Sequence, residues 1–250
     1  MKIGLVKHLN ARPLTYGLEK SNNHELVYDN PSILVKDLLN QKLDLALISS
    51  VECLRNKNLL NWSLSTGVCA RKRVRSILFF KNKKETHPIN SINVDHGSRS
   101  SVALLKILYH SDYKIVPETI ALPPGEIQRK IIDNEGSHLL FGDNALLANW
   151  DPKFYDVIDL AEWWNEITGK HFCFALWAYP KDLRIPDEIF YKSLEFGLTH
   201  IEEIIQSETR FPYWLTSRYL KEELHYILDE KDRSGFKLFE EKCSNLNLLS

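Results

Sequence analysis

A strand-like apolar run, a small polar turn and a helical segment follow one another three times in the first 150 residues. The copies are residues 43–48 followed by Ser49 and Ser50, residues 92–94 followed by residues 97–101, and residues 139–141 followed by Gly142 and Asp143. Strands that alternate with helices pair in parallel, so the pattern predicts an α/β fold. Each turn directs helix N-terminal amides, and nearby hydroxyl groups, towards one point. Three such points predict a cleft that binds a small anion.

The charge balance excludes several classes of partner. The 32 basic and 33 acidic residues give a net charge of -1, so no general field holds the chain on nucleic acid or on an anionic membrane. Anion recognition has to be local. We therefore expect a small-molecule partner, no nucleic acid and no membrane, while the sequence does not indicate an oligomeric state.

The apolar runs and the cysteines indicate where in the cell the protein is located. Lys7 and His8 interrupt the N-terminal apolar run too early for a signal peptide, and no segment has the roughly 20 apolar residues of a membrane span. The four cysteines stand apart, without the short pairings of metal sites or redox motifs, and no glycine-rich nucleotide motif occurs. We expect a cytoplasmic protein with reduced thiols, no metal and no cofactor.

Two lobes are expected, because 250 residues are enough for two small hydrophobic cores. Residues 81–88 form a polar run typical of a crossover, and the strand-like residues 172–179 can carry the chain back. This predicts a lobe one from residues 1–83 plus 179–250, with a C-terminal helical cap, and an inserted lobe two from residues 84–178. The lobes form a clamshell whose ligand cleft lies between them, at the carboxyl ends of the strands.

The polar residues of the turns also have structural interpretations. Ser98 or Ser100 can cap a helix while Arg99 stays in solvent. Asp143 can act as a base or hold a hydroxyl group, although an acid at the start of a helix is most often a cap. Three turns in one chain favour the ligand interpretation over capping.

Three polar residues outside these turns are candidates of the same kind. Asn10 offers an amide donor and acceptor at the end of the first strand, or forms an Asx turn before Pro13. Arg12 can reach the anion or pair with an acid of lobe one. Ser76 lies in a strand-like run and faces either the cleft, which we favour, or a neighbouring strand.

Several motifs occur in an order that resembles a known family. They are residues 8–14 (His-Leu-Asn-Ala-Arg-Pro-Leu), 49–52 (Ser-Ser-Val-Glu), 74–78 (Val-Arg-Ser-Ile-Leu), 98–105 (Ser-Arg-Ser-Ser-Val-Ala-Leu-Leu), 142–146 (Gly-Asp-Asn-Ala-Leu), Trp164, Thr168, Gly169 and 172–178. In this combination the sequence resembles the chorismate dehydratases of the futalosine route to menaquinone, which have the fold of type II periplasmic binding proteins. Family members usually carry Ser-Tyr in place of Lys7 and His8, and alanine in place of Asn144.

The resemblance implies a reaction and a set of site residues. The reaction is the loss of water from chorismate, a dicarboxylate, to give 3-[(1-carboxyvinyl)oxy]benzoate, which makes the chain a lyase. Asn10 and Ser76 are then the candidate catalytic residues. The candidate substrate-binding residues are Arg12, Ser49, Ser50, Ser98, Arg99, Ser100, Ser101, Gly142 and Asp143. Because no side chain stands out as a base, we hypothesise that the enolpyruvyl carboxylate of the substrate removes the ring proton.

Two other functions stay open on the same sequence features. The related dihydroxynaphthoate synthase of the same pathway shares the fold and the anion turns. A non-catalytic small-anion solute-binding protein shares them too, but it needs export. A DNA-binding regulator of this fold is disfavoured, because the first strand begins at Ile3 and leaves no room for a helix-turn-helix before it.

Overall fold

The computed structural model describes residues 1–21 and 23–249, whose strands form two separate β-sheets. The strands are β1 (Lys2–Leu5), β2 (Glu25–Tyr28), β3 (Leu45–Ser49), β4 (Leu60–Ala70), β5 (Ile77–Asn82), β6 (Ser91–Asp95), β7 (Glu118–Leu122), β8 (His138–Phe141), β9 (Tyr155–Asp159), β10 (Phe172–Pro180) and β11 (Leu224–Ile227). The helices are α1 (Arg12–Ser21), α2 (Pro31–Leu39), α3 (Ser50–Arg55), α4 (Ser100–Tyr113), α5 (Pro124–Ile132), α6 (Gly142–Leu146), α7 (Leu160–Thr168), α8 (Glu188–Thr199), α9 (Ile201–Ser207), α10 (Tyr213–Arg218) and α11 (Glu230–Asn245). A 3₁₀ turn over Leu9–Ala11 precedes α1, and a π-helical turn over Tyr219–Glu223 follows α10.

Each sheet combines parallel and antiparallel strands. The first sheet has the order β11-β4-β10-β3-β1-β2, with β1 parallel to β2 and β3. The second has the order β7-β6-β8-β5-β9, with β6 parallel to β7 and β8. Helices connect the parallel strands, so the predicted α/β fold with two lobes is confirmed. Strands β3, β6 and β8 end where the three small polar turns begin.

The sheets divide the chain at other places than the predicted lobe boundaries. The boundary at residue 83 puts β5 in lobe one, whereas β5 pairs with β8 and β9 in the second sheet. The boundary at residue 178 puts most of β10 in lobe two, whereas β10 pairs with β3 and β4 in the first sheet. The chain therefore passes between the sheets at residues 71–76 and 169–171, and not at the polar run 81–88. An isolated strand-like run does not reveal which sheet it joins, because its pairing partners are distant in sequence.

Asp159 stabilises the chain crossing at residues 71–76 through hydrogen bonds to its backbone. One oxygen of this buried carboxylate caps α7 by accepting the backbone amides of Ala161 and Glu162, at 3.0 and 3.2 Å. The other oxygen accepts the amides of Val74 and Arg75, at 2.9 and 2.6 Å. One side chain thereby joins the segment that leaves the first sheet to the helix that precedes the return.

The helices of the C-terminal tail pack on the first sheet through α1. The Ser193 hydroxyl of α8 donates to the Leu14 carbonyl at 2.7 Å and accepts the Leu18 amide at 3.1 Å. At Gly197 the two helices approach so closely that an added Cβ would lie 2.0 Å from the carbonyl oxygen of Pro13. The tail is helical over most of its length, but it also adds β11 to the edge of the sheet.

We expect Gly197→Ala to destabilise the protein, because its methyl group would push α8 away from the backbone of α1. Overpacking of this kind costs about 1–3 kcal/mol, which lowers Tm by about 2–12 °C in a chain of this size. Gly125→Ala in α5 is the matched control, since an added Cβ there meets no atom within 4 Å. Thermal unfolding followed by circular dichroism checks both variants. Equal Tm values for them would contradict the tight α1–α8 contact.

Candidate active site

The carboxyl ends of parallel strands from both sheets meet around one cavity. It encloses about 690 Å³ of space, including part that is open to solvent. Eight of the predicted site residues line it: Asn10, Ser49, Ser76, Ser98, Arg99, Ser100, Ser101 and Gly142. All three strand–turn–helix junctions therefore converge on the same space.

Ser100 joins the N-termini of α3 and α4 across this cleft. Its hydroxyl accepts the Val51 amide at 3.2 Å, lies 3.0 Å from the Ser50 hydroxyl and donates to the Phe174 carbonyl at 3.2 Å. The amide of Ser101, in the first turn of α4, has no acceptor within its own helix. The contact of Ser100 thus holds the lobes together and leaves part of the α4 N-terminus facing the cavity.

Two buried hydroxyl groups in the cavity wall have no hydrogen-bond partner among the residues that the structure describes. They are Ser49 Oγ, at the end of β3, and Ser98 Oγ, just ahead of α4. A buried polar group without a partner costs about 1–3 kcal/mol, so native proteins keep few of them. One hydroxyl comes from each lobe. A ligand with oxygen atoms at both ends satisfies the two groups together.

Arg12 and Ser50, two of the predicted substrate-binding residues, lie outside the cavity wall. The Arg12 guanidinium pairs with Glu19 at 3.7 Å within α1, which is the structural role that the sequence also allowed. Ser50 is fully buried against Ser100 at the lobe contact. Neither residue therefore lines the cavity.

Asp143, the third predicted residue outside the wall, links the lobes at the rim of the cavity. Its oxygens accept the Leu9 amide at 3.3 Å and contact the Arg210 guanidinium at 2.6 Å. Hydrogen bonding to Glu208, together with the charge of Asp143, raises the pKa of Arg210 above its ordinary value. The cap position of α6 belongs to Phe141. Asp143 is therefore a bridge between lobes rather than a helix cap.

Gly142 and Ser76 meet in the wall of the second lobe. Gly142 has a φ of 60°, a backbone conformation that favours glycine, and its amide donates to the Ser76 carbonyl at 2.7 Å. The Gly142 amide is therefore already hydrogen-bonded and cannot donate to a ligand. Gly142 contributes only its backbone surface to the cavity wall. Ser76 is buried and lines the cavity, which is the favoured orientation of its side chain from sequence.

A tyrosine from the C-terminal tail lies beside the two candidate catalytic residues. Tyr219, in the π-helical turn, is fully buried and its hydroxyl makes no hydrogen bond of good geometry. Burial raises the pKa of Tyr219 well above its ordinary value, while the neighbouring side chains of Ser76 and Asn10 oppose that effect. Tyr219 is thus a neutral phenol with a proton to donate. No local sequence pattern marks it, because it lies in the tail, far in sequence from both partners.

His8 is the second titratable side chain in the wall, besides Arg99. Burial lowers the pKa of His8, although the charges of Asp143 and Asp95 oppose this, so its imidazole is neutral at neutral pH. Its ring packs edge-on against Phe141 at 5.7 Å. Within the described part of the chain, the wall contains no Asp or Glu. With Arg99 at its mouth and no carboxylate in its lining, the cavity suits an anion.

Apolar side chains complete the cavity on the side of the first sheet. Val68 of β4, Phe174 of β10 and Leu224 of β11 line this part of the wall. Trp177 and Phe172, on the same strand as Phe174, are buried in the core. The cavity therefore presents an apolar surface on one side and hydroxyl groups on the other.

Comparisons with known proteins agree with this architecture. A family model described as "Menaquinone biosynthesis" matches residues 1–245. Over 270 residues the chain is 28% identical to a chorismate dehydratase of Campylobacter jejuni subsp. jejuni serotype O:23/36 (strain 81-176), covering 99% of the chain and 100% of that relative.

Solved structures share the fold at low identity. Protein AF1704 from Archaeoglobus fulgidus matches with a TM-score of 0.78 and 16% identity, covering 99% of this chain and 97% of its own. The periplasmic aliphatic sulphonate binding protein SsuA from Escherichia coli matches with a TM-score of 0.66 and 12% identity, covering 100% and 93%. The fold is that of the periplasmic binding proteins, as the sequence resemblance implies. Because the family model extends over nearly the whole sequence, the chain belongs to the menaquinone-biosynthesis family.

Proposed function

We propose that the chain is a chorismate dehydratase, a lyase that converts chorismate to 3-[(1-carboxyvinyl)oxy]benzoate and water in menaquinone biosynthesis. The observation that carries this proposal is the pair of unpartnered hydroxyls, Ser49 and Ser98, which face one cavity from opposite lobes. Membership in the menaquinone-biosynthesis family and full-length similarity to a chorismate dehydratase select chorismate among dicarboxylates.

The cavity offers a separate place for each carboxylate of chorismate. Ser98, Ser101 and the N-terminus of the 14-residue helix α4 bind one of them, with Arg99 adding a positive charge at the mouth. Ser49, at the end of β3, donates to the other carboxylate from the opposite lobe. The ring between them lies against the apolar side chains of the first sheet.

The reaction breaks two bonds and forms an aromatic ring. The C–H bond at the carbon that bears the enolpyruvyl ether is broken, the ring hydroxyl leaves, and the proton and hydroxide together give water. Aromaticity supplies the driving force, so the protein has to orient the bonds and stabilise developing charge. The Asn10 amide holds the leaving hydroxyl, and the Ser76 hydroxyl donates to it. Tyr219, which lies outside the cavity wall, positions the side chains of Asn10 and Ser76.

The base in this scheme is the enolpyruvyl carboxylate of the substrate itself. The described cavity wall has no carboxylate of its own, and His8 is its one neutral imidazole. A substrate carboxylate fixed by Ser49 near the reacting carbon removes the proton within the same molecule. Such proximity makes a weak base effective.

We also propose a cytoplasmic location, on the evidence of the thiols. All four cysteines are buried and free, although Cys69 and Cys173 face each other directly on β4 and β10. Facing thiols that stay unbonded are typical of a reducing compartment. None of the described helices combines the length and the apolar character needed to cross a bilayer.

Incubation of the purified protein with chorismate tests the proposed activity. We expect an aromatic ultraviolet absorbance to appear, and a product lighter than chorismate by one water in the mass spectrum. Asn10→Ala should lower kcat about 100-fold or more, since it removes the group that orients the leaving hydroxyl, and should retain most chorismate binding by calorimetry. The control is Asn58→Ala, because Asn58 is exposed and lies outside the wall.

Two results would contradict these assignments. Wild-type turnover in Asn10→Ala would remove Asn10 from the mechanism. Chorismate that binds to the wild-type protein and is recovered unchanged would show a binding protein instead of an enzyme.

His8→Gln separates the two candidate bases. If the substrate carboxylate takes the proton, kcat should stay within about threefold of wild type, because Gln keeps a similar size and polarity. A protein base contributes about 100-fold or more. A loss of that size in kcat with chorismate binding intact would identify His8 as the base and contradict the substrate-assisted scheme.

Tyr219→Phe tests the positioning role of the buried phenol. We expect kcat to fall about tenfold, because phenylalanine removes the polar group that Tyr219 presents to Asn10 and Ser76, with KM nearly unchanged. Tyr226→Phe is the matched control, because Tyr226 is also fully buried and its hydroxyl also lacks a partner, but it does not adjoin Asn10 or Ser76. Equal kcat values for the two variants would contradict the role of Tyr219.

A further inference from the structure

Four side chains that commonly bind metals lie together outside the cavity wall. His171 immediately precedes β10, His225 belongs to β11, and Asp229 and Asp232 stand at the N-terminus of α11. One ligand atom from each lies within 4.8 Å of all the others. The ligands come from separate segments, so spacing along the sequence did not reveal them.

The distances at His171 suit a tetrahedral ion. Nδ1 of His171 lies 3.3 Å from Oδ1 of Asp229 and 3.4 Å from Oδ1 of Asp232. Ligands at the zinc–nitrogen and zinc–oxygen distances of about 2.0–2.1 Å stand about 3.3–3.4 Å apart at tetrahedral angles. His225 Nε2 is nearer, at 2.8 Å from Oδ2 of Asp232. The cluster therefore needs a small rearrangement of side chains to surround an ion.

Among the described residues, hydrogen bonds satisfy the two carboxylates of the cluster but leave Nδ1 of His171 without a partner. His171 is 7% exposed, and its Nδ1 faces two carboxylates without making a hydrogen bond. This buried nitrogen is directed at the carboxylates of Asp229 and Asp232, and an ion held between them would give it a partner.

The charges of the cluster match a divalent cation. The two carboxylates together supply the negative charge that one doubly charged ion cancels, and Asp232 is fully buried. Imidazole and carboxylate ligands in a tetrahedral set select zinc over magnesium or calcium, which prefer six or more oxygen ligands.

We propose that His171, His225, Asp229 and Asp232 form a structural zinc site. The ion binds β10, β11 and α11 to one another, next to the chain crossing at residues 169–171. It also fixes β11, whose Leu224 lines the cavity beside His225. No coordination position is needed for substrate, so this site is structural and separate from the dehydration chemistry.

The test uses the full-length protein after treatment with a chelator. We expect calorimetry to show one zinc ion bound per chain, and zinc to raise Tm by several degrees while magnesium does not. Bound cobalt(II) should give the strong visible absorption of a tetrahedral site. His171→Gln and Asp229→Asn should weaken zinc binding about 100-fold, and His110→Gln, a histidine outside the cluster, should bind zinc like the wild type.

Asp229→Asn keeps the test decisive if His171→Gln does not fold, because asparagine still caps α11. Zinc that binds Asp229→Asn as tightly as the wild type would overturn the proposal. Binding well below one ion per chain, or a weak octahedral cobalt spectrum, would overturn it equally. All of these readouts are independent of turnover, so they stand whether or not chorismate is the substrate.

Discussion

The hydroxyl of Ser100 offsets the electrostatic repulsion between two helix N-termini that meet at the cleft. Two helix N-termini, those of α3 and α4, face each other from different lobes, and their positive ends repel. Ser100 accepts the Val51 amide of one helix and donates to the Phe174 carbonyl of the first sheet. It thus removes one unpaired amide and adds an attractive contact between the lobes. The rest of the positive potential faces the cavity, where a carboxylate of the proposed substrate would compensate it.

Two further contacts fix how far apart the lobes stand. Asp159 ties the chain crossing at residues 71–76 to α7 through four backbone amides, on the side where the chain passes between the sheets. Asp143 and Arg210 join the lobes at the rim of the cavity with an ion pair at 2.6 Å. The described structure is therefore a closed clamshell.

The local features of the fold and of the site could be predicted from the sequence, and the long-range ones could not. Each junction joins a strand to the next helix within a few residues, so its turn could be placed and its approach to the cavity expected. Sheet membership of β5 and β10 depends on distant partners, and the predicted lobe boundaries were misplaced there. Arg12 and Asp143 were candidates by chemistry alone. Arg12 pairs with Glu19 of its own helix, whereas Asp143 pairs with Arg210, which is distant in sequence. Tyr219 reaches Asn10 and Ser76 only because the tail packs back across the first sheet.

A binding fold suits a dehydration that ends in an aromatic ring. The product is strongly favoured, so the protein gains most by holding the breaking C–H and C–O bonds in the right orientation. A carboxylate in the wall would repel both carboxylates of the substrate, and the described wall has none. In the proposed reaction, neutral donors such as the hydroxyls of Ser49, Ser76 and Ser98 would hold the dianion without that cost and would not protonate its enolpyruvyl carboxylate. Under the proposed mechanism, the absence of acidic side chains from the described wall would therefore favour binding of the dianion and also leave the substrate's own carboxylate free to act as the base.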